Sequence, residues 1–243
     1  FNPDTMRMEI ADFAAVIFNP VAQAKFVHTV SAGYVTGAIF VMAVSAWYLL
    51  KGRHIEIAKR SMAVAASFGL AASLSVVVLG DESGYLSTEH QKMKVAAMEA
   101  MWHTEPAPAA INVIAFPDSA KQENSFAISI PYVLGIIGTR SLTQELPGIV
   151  NLVEDAKVKI RDGIAAYVAL QKVRADKTDT QARAVFDKSW RDLGYGLLVK
   201  LYRPDIENAT EDDIAKAAAL TVPNVPLMFW AFRAMVGLGF YFI

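Results

Sequence analysis

The sequence predicts an all-α membrane protein with two complete transmembrane helices, one truncated helix and a long, mainly helical extracytoplasmic loop. Residues 27–50 and 61–80 contain no Asp, Glu, Lys or Arg, and about 20 apolar residues at about 1.5 Å each cross the hydrocarbon of a bilayer. Hydrophobic residues make up 54% of the 243 residues, which is unusual for a soluble domain. The alternative is a soluble protein in which these segments are buried core helices, but uncharged runs of this length are too long for such helices.

The segment before the first span predicts an amphipathic helix that lies in the membrane interface. Met6, Ile10, Phe13 and Ile17 recur at helical spacing, and a helix with one apolar face lies along the membrane surface. We expect it to end at the Asn-Pro pair that follows Phe18.

The charged connector between the two spans sets the predicted orientation. Lys51, Arg53, Lys59 and Arg60 crowd a short loop, and such loops lie on the cytoplasmic side. The predicted segments are an interfacial segment at 1–24, a transmembrane helix at 25–50, a cytoplasmic loop at 51–60, a second transmembrane helix at 61–80, an extracytoplasmic loop at 81–225 and the start of a third helix at 226–243. In a bacterium the long loop then faces the periplasm.

Within the long loop the apolar pattern predicts several helices. One is expected over about residues 89–101, and apolar residues recurring through 149–173 and 182–201 predict a helical hairpin. Thr210 precedes three acidic residues, which predicts a capped helix that ends before Pro223.

The third apolar run, residues 226–243, contains one charge, Arg233. It reaches Ile243 without a polar tail, so we expect the chain to be an internal piece of a longer membrane protein.

Composition excludes several kinds of site. The chain contains no cysteine, which excludes disulfides, thiolate metal ligands, iron–sulfur clusters and thioether-linked haem. The net charge is −1, so a nucleic-acid partner is not expected.

His28 lies just inside the first span on the loop side, where an ionisable side chain is costly and is a functional candidate. Met235 lies in the third run, which enters the membrane from the same side. An imidazole and a thioether can together ligate haem iron. The other interpretations are a histidine bonded to a neighbouring helix and a core methionine. Gly33 and Gly37 form a GxxxG that permits close approach of a helix or a flat macrocycle.

Several other charged residues are candidates for chemistry. Arg233 could pair with haem propionates or extend to the interface. Asp81 follows the second span directly, and Lys94 and Glu99 are separated by about 140° around a helix. Lys94 and Glu99 either occupy different faces of a solvated helix or reach around a bound molecule such as a quinol. A quinol needs a hydrogen-bonding group for each hydroxyl and a carboxylate to take its proton. The remaining histidines, at 54, 90 and 103, have no metal-ligand spacing and are predicted to be surface residues.

Several stretches resemble subunit I of the cytochrome bd quinol oxidases of the long-loop type. They are spread along most of the chain, and together they are specific. The stretches are 19–30 (NPVAQAKFVHTV), 33–37 (GYVTG), 46–53 (AWYLLKGR), 80–85 (GDESGY), 94–99 (KVAAME), 106–109 (PAPA), 126–132 (FAISIPY) and 192–198 (DLGYGLL).

The resemblance implies that His28 and Met235 are the axial ligands of the low-spin haem b, with Arg233 beside the methionine. Spans outside the chain would bring the ligands of a high-spin haem b and of haem d.

The long loop is then the Q-loop, where quinol is oxidised by a site that includes Lys94 and Glu99, with Asp81 as a further candidate. The insertion around residues 150–220 would cover or stiffen the loop.

The implied function is that of a terminal quinol oxidase of the respiratory chain in the bacterial inner membrane. The enzyme couples oxidation of ubiquinol or menaquinol to reduction of O2 to water and generates a proton potential. Expected partners are subunit II, small accessory subunits and membrane lipid. The chain alone is not expected to reduce O2.

Two alternatives come from other classes of protein. One is a haem-free membrane-anchored sensor or transporter component with a periplasmic helical domain. The other is a haem-b anchor subunit of a dehydrogenase, although such anchors use histidine pairs within spans and His28 is the one histidine in a span here.

Overall fold

The computed structural model describes residues 5, 7, 9, 10 and 12–243 and divides the chain into two compact units. The membrane unit comprises Asp12–Gln91, Ile136–Ser141 and Trp230–Ile243. The loop unit comprises Lys92–Gly135 and Leu142–Phe229, with the described residues among the first eleven. Most described residues are helical, so the predicted fold class is confirmed.

The membrane unit begins with a helix that is shorter than predicted. Helix α1 spans Phe13–Ile17, and the carboxylate of Asp12 caps it by accepting a hydrogen bond from the Ala15 N–H at 3.1 Å. Glu9 and Ile10 are not helical, so the amphipathic helix starts later than expected because its cap is at residue 12. Met6, at which we expected it to begin, lies outside the described residues.

Two long helices contain the predicted spans. Helix α2 runs over Pro20–Leu50, with Asn19 as its N-cap, and helix α3 over Ile55–His90. Both are long and apolar enough to cross a membrane. Helix α3 continues ten residues beyond the predicted end of the span at residue 80. Glycine in the GDESGY stretch does not stop the helix, because its cost in a helix interior is only about 1 kcal/mol.

Small side chains form the seam between α2 and α3. A Cβ on Gly69 would lie 3.0 Å from the Cβ of Ala38, so the glycine allows the two helices to approach closely. The buried residues follow the three- and four-residue spacing of one helix face. They are Ser31, Val35, Ala38 and Ser45 on α2, and Ala58, Ala65, Gly69, Ala72 and Ser73 on α3.

The last helix, α9, spans Val225–Tyr241, close to the predicted start at residue 226. Its first turn belongs to the loop unit, where Val225 and Phe229 are buried. The Asn224 side chain accepts a hydrogen bond from the Leu227 N–H at 3.0 Å and thereby caps the helix.

The start of the loop unit differs from the helix predicted over 89–101. Gln91 interrupts it, so α3 ends at His90 and a short helix, α4, covers Lys92–Met98. Ala100 adopts a left-handed conformation with φ 51°, and the Met101 N–H donates to the Ala96 carbonyl at 2.8 Å. This arrangement ends the helix and satisfies one of its last carbonyls.

A β-hairpin follows that the sequence did not predict. Strand β1 spans Ile111–Asp118 and strand β2 spans Glu123–Ile130, paired antiparallel with Ile111 opposite Ile130. The register is irregular on both sides of Ile114 and Ala115. These irregularities and a proline inside β1 break the alternation by which a strand is recognised in sequence.

The insertion contains the predicted helical hairpin. Its helices are α5 (Ile149–Ala175), α6 (Thr180–Ser189) and α7 (Leu193–Leu197), followed by α8 (Glu211–Ala219). Gly163 of α5 and Gly196 of α7 face each other so closely that a Cβ on either would overlap the backbone of the other. Thr210 and Asp213 form a capping box at the start of α8, so the predicted capped helix is confirmed.

Candidate functional site

His28 lies in the seam between α2 and α3. Its imidazole ring packs against Gly80, where an added Cβ would lie 3.3 Å from the ring Cε1 atom. The Nδ1 atom is buried and has no hydrogen-bond partner among the residues that the structure describes. Gly80 therefore makes room for a ring whose Nδ1 atom has no described hydrogen-bond partner.

A buried polar atom without a partner needs an explanation, because nearly all such atoms in proteins are hydrogen-bonded. The predicted alternative, an imidazole bonded to a neighbouring helix, does not hold for the Nδ1 atom of His28. An imidazole is also a common ligand of metal ions and of haem iron. The seam position thus fits a ligand role.

Arg233 and Met235 lie on α9, in the membrane unit. The Met235 side chain is 53% exposed, and the Arg233 guanidinium lies 5.3 Å from the ring centre of Phe232. Across residues 12–243, α2 and α3 pack closely along one another, and α9 makes no comparably extensive contact with either of them. The pairing of Met235 with His28 therefore stays a prediction.

The open helix faces can accept a flat ring. A Cβ placed on Gly33 or Gly37 of α2, or on Gly237 or Gly239 of α9, would meet no atom within 4 Å in the described part of the chain. The GxxxG of α2 is thus not used for packing on α3. The donor set of imidazole, thioether and guanidinium, together with this open space, fits a haem.

Asp81 lies on α3 next to Gly80 and belongs to a cluster that sequence reasoning missed. The Arg140 Nη2 atom lies 2.6 Å from Glu82 Oε2 and 3.2 Å from Asp81 Oδ2. The guanidinium also stacks over the Tyr85 ring, 4.2 Å from its centre. We call Arg140, Asp81, Glu82 and Tyr85 the Arg140 cluster.

The charges in the Arg140 cluster stabilise one another. The hydrogen bond to Glu82, with a further contribution from Asp81, raises the pKa of the Arg140 guanidinium above its usual value against an opposing effect of burial. Arg140 follows the two carboxylates by 58 and 59 residues. No local spacing in the sequence could signal the contact.

Lys94 and Glu99 lie in the loop unit, on α4 and at its end. Glu99 is only 3% exposed and Lys94 is half-buried. The Asn112 side chain of β1 donates a hydrogen bond to the Glu99 backbone carbonyl at 2.8 Å. The hairpin therefore fixes the end of the helix that carries Glu99, so these residues are not two surface charges on a solvated helix.

His54, His90 and His103 are exposed, as predicted. Among the described residues, no group of three or more His, Asp or Glu side chains is arranged to hold a metal ion.

The fold and the site are those of a helical membrane protein with a histidine in its helix seam whose buried Nδ1 atom has no described hydrogen-bond partner. The family model of cytochrome bd terminal oxidase subunit I matches residues 1–243, and the chain therefore belongs to this family. The predicted resemblance is confirmed.

Individual relatives agree with this assignment. The chain is 44% identical over 239 residues to cytochrome bd-II ubiquinol oxidase subunit 1 of Escherichia coli (strain K12), covering 98% of this chain and 46% of the relative. It is 34% identical over 150 residues to cytochrome bd ubiquinol oxidase subunit 1 of Bacillus subtilis (strain 168), covering 60% and 31%. The chain thus spans less than half the length of these relatives.

The solved structure of bd oxidase from Geobacillus thermodenitrificans matches with a TM-score of 0.53 and 18% identity, covering 99% of this chain and 63% of the other. This likeness concerns the fold. Family membership implies haem b and haem d cofactors and a bacterial membrane location.

Proposed function

We propose that the chain is the part of a terminal quinol oxidase of the respiratory chain that receives electrons from quinol. Quinol is oxidised at the loop 81–225, and the electrons pass through a low-spin haem b to a haem pair that reduces O2 to water. The observation that carries the proposal is His28, whose buried Nδ1 atom has no described partner in a chain of this family. Family membership argues against both the haem-free sensor and the dehydrogenase anchor.

His28 and Met235 would hold the low-spin haem b as its two axial ligands. When bound, the haem would supply a one-electron carrier, and an imidazole with a thioether as ligands would favour electron transfer over oxygen binding. His28 is oriented by its packing on Gly80, and the open faces at Gly33 and Gly37 leave room beside it. Arg233 would place its positive charge near the propionates and so compensate them.

Lys94, Glu99 and Asp81 would bind and deprotonate the quinol. Oxidation of a quinol releases two protons with the two electrons, so a carboxylate within hydrogen-bond reach assists it. Glu99 is the stronger candidate for this role, because its side chain is nearly excluded from solvent and its backbone is fixed by Asn112. Lys94 would donate to a quinol oxygen, and Asp81 would act at the end of the second span.

The substrate would be ubiquinol or menaquinol. The Escherichia coli relative is named a ubiquinol oxidase, and a second Bacillus subtilis relative, 28% identical over 140 residues, is named a putative menaquinol oxidase. The partners would be subunit II, small accessory subunits and the lipid of the inner membrane, with the loop on the periplasmic side. The high-spin haem b and haem d would be held by spans outside this chain.

The test is a dithionite-reduced minus air-oxidised absorption spectrum of the full oxidase in membranes. His28→Ala and Met235→Leu are each expected to remove the low-spin haem b band while the other haem bands persist, because each variant loses one axial ligand. The matched control is His103→Ala, which removes an exposed histidine and should leave the spectrum unchanged. An unchanged low-spin band in both ligand variants would overturn the assignment.

A further inference from the structure

We propose that Arg140 is a positioning residue that fastens the loop segment Ile136–Ser141 to the end of α3 and holds Asp81 in place for quinol oxidation. The inference rests on the proposed function, because that function gives Asp81 its role. It starts from the Arg140 cluster, in which one guanidinium contacts two carboxylates and an aromatic ring of a single helix.

The residues of α3 in the cluster lie within little more than one helical turn. Asp81 and Tyr85 are four residues apart and share a face, and Glu82 lies beside them. A planar guanidinium suits this arrangement, because its donors can reach two oxygens while its face lies over a ring. A lysine ammonium has no plane to stack and no fork of donors.

The backbone around Arg140 directs its side chain towards α3. The segment begins as a single π-helical turn over Gly135–Thr139, and Arg140 itself has φ 52°, in the left-handed region that is uncommon for residues other than glycine. The Ser141 N–H donates to the Thr139 hydroxyl at 3.3 Å, and this hydroxyl donates to the Ser141 carbonyl at 3.2 Å. Short-range bonds thus hold Arg140 in an unusual conformation from which it reaches α3.

The position of the cluster connects it with the proposed haem ligand. Asp81 is the neighbour of Gly80, whose backbone packs against the imidazole of His28. The loop segment is therefore anchored to the same turn of α3 that supports the ring. Without Arg140, two adjacent carboxylates would repel each other, and nothing else described in the cluster carries a positive charge.

Each exposed ion pair is weak on its own. All three charged side chains are about half exposed, so the anchor depends on two ion pairs and one cation–π contact acting together. Removing the guanidinium removes all three contacts in one step. The anchor is thus sensitive to the identity of residue 140 and less sensitive to either carboxylate alone.

The first measurement is hydrogen exchange of the amides of Ile136–Ser141 in the purified full oxidase, without quinol. Arg140→Gln is expected to speed exchange about tenfold through loss of the three contacts. Arg140→Lys should give an intermediate effect. The charge swap Arg140→Glu with Glu82→Arg retains one ion pair of the three contacts and should restore a part of the protection that Arg140→Glu alone loses. Arg191→Gln is the control, since Arg191 stacks on Trp190 in the insertion.

The second measurement is the KM for quinol in the same proteins. Arg140→Gln is expected to raise the KM about threefold or more with a smaller change in kcat, and the swap should reverse part of this. Unchanged exchange in Arg140→Gln, or faster exchange in the swap than in Arg140→Glu alone, would overturn the anchor. Faster exchange with an unchanged KM would overturn the positioning role.

These outcomes are separate from those of the haem test. The low-spin band could persist in the His28 and Met235 variants while the exchange and KM effects at Arg140 are observed. That result would contradict the haem assignment and still support the anchor.

Discussion

The α2–α3 pair and the helices of the insertion are held together in different ways. In the pair, the buried residues are small, and large apolar side chains such as Phe40 and Leu50 point outwards, 69% and 88% exposed. In the insertion, Ile160 and Phe186 are almost completely buried. In lipid, large apolar side chains gain little by mutual burial, so close approach decides helix packing. In water, burial of apolar area decides it.

The difference also changes what a polar group means in each region. In the insertion, charged side chains are commonly paired. Arg203 and Asp213 form an ion pair at 2.8 Å. Arg161 on α5 pairs with Glu211 on α8. A paired polar group in the insertion is therefore no sign of a functional site. In the seam, the buried Nδ1 of His28 has no partner among the described residues, which makes it a candidate for a functional site. The same chemical group therefore carries more functional information in the seam than in the loop.

The largest expected effect tests whether the insertion also depends on close backbone approach at one point. Gly163→Ala places a Cβ into the backbone of α7 near Gly196, and overpacking of this kind should destabilise the α5–α7 crossing by at least about 2 kcal/mol. Hydrogen exchange of α5 and α7 in the full oxidase measures it.

The control for this prediction is Gly194→Ala on α7, where a Cβ would meet no described atom within 4 Å. It should leave exchange unchanged or slower. Equal effects of the two variants would mean that the α5–α7 crossing tolerates a methyl group. Close backbone approach would then not contribute to helix packing in the insertion.

A smaller effect is expected in the seam. Gly80→Ala would place a methyl group 3.3 Å from Cε1 of His28, so the ring must shift by a few tenths of an ångström. If His28 is a haem ligand, the displaced ring should lower haem affinity about tenfold, as changes next to a ligand commonly do. The low-spin band of the reduced-minus-oxidised spectrum and the haem content report this loss.

Gly84→Ala, one turn further along α3, is the matched control, since a Cβ at Gly84 would meet no described atom within 4 Å. A full low-spin band in Gly80→Ala would show that the packing of residue 80 does not orient the imidazole.

The smallest effect concerns the paired charges of the insertion. The Thr210 backbone N–H, the Arg203 guanidinium and the Thr210 hydroxyl all hydrogen-bond the Asp213 carboxylate and lower its pKa well below the usual range. Asp213 therefore stabilises α8 above the ordinary carboxyl pKa of about 4, and this contribution is lost as the pH falls through its lower folded value. Asp213→Asn should speed exchange in α8 about fivefold at neutral pH.

Asp212→Asn removes the neighbouring carboxylate, which makes a surface ion pair with Lys216, and should change exchange much less. If the two variants behave alike, the capping box is not what distinguishes Asp213.

Regular patterns in the sequence predicted regular parts of the fold. The two spans, the helical hairpin and the cap at Thr210 depend on composition and on spacing within a few residues, which sequence displays directly. The continuation of α3 to His90 and the break at Gln91 were not predicted, because glycines in a helix and a helix end without a proline give weak signals. The hairpin β1–β2 was missed because irregular register removes strand alternation.

The residues of the candidate site also divide into those that the sequence indicated and those that it did not. His28 was identified because a histidine within an apolar span is conspicuous, and the structure adds the packing on Gly80 that no spacing reveals. Met235, Lys94 and Glu99 came from the resemblance to the family. Arg140 was missed because its partners lie 58 and 59 residues away, and such contacts depend on the folded chain.

The unbroken course of α3 has a consequence for the order in which the protein matures. Its 36 residues extend about 54 Å, and a helix satisfies its own backbone hydrogen bonds, so it can form as it leaves the insertion machinery. Asp81 and Glu82 are synthesised before Arg140, and their helix can form without it. Closure of the chain between them is therefore a late step, and the ion pairs form only after the intervening residues have been added and folded.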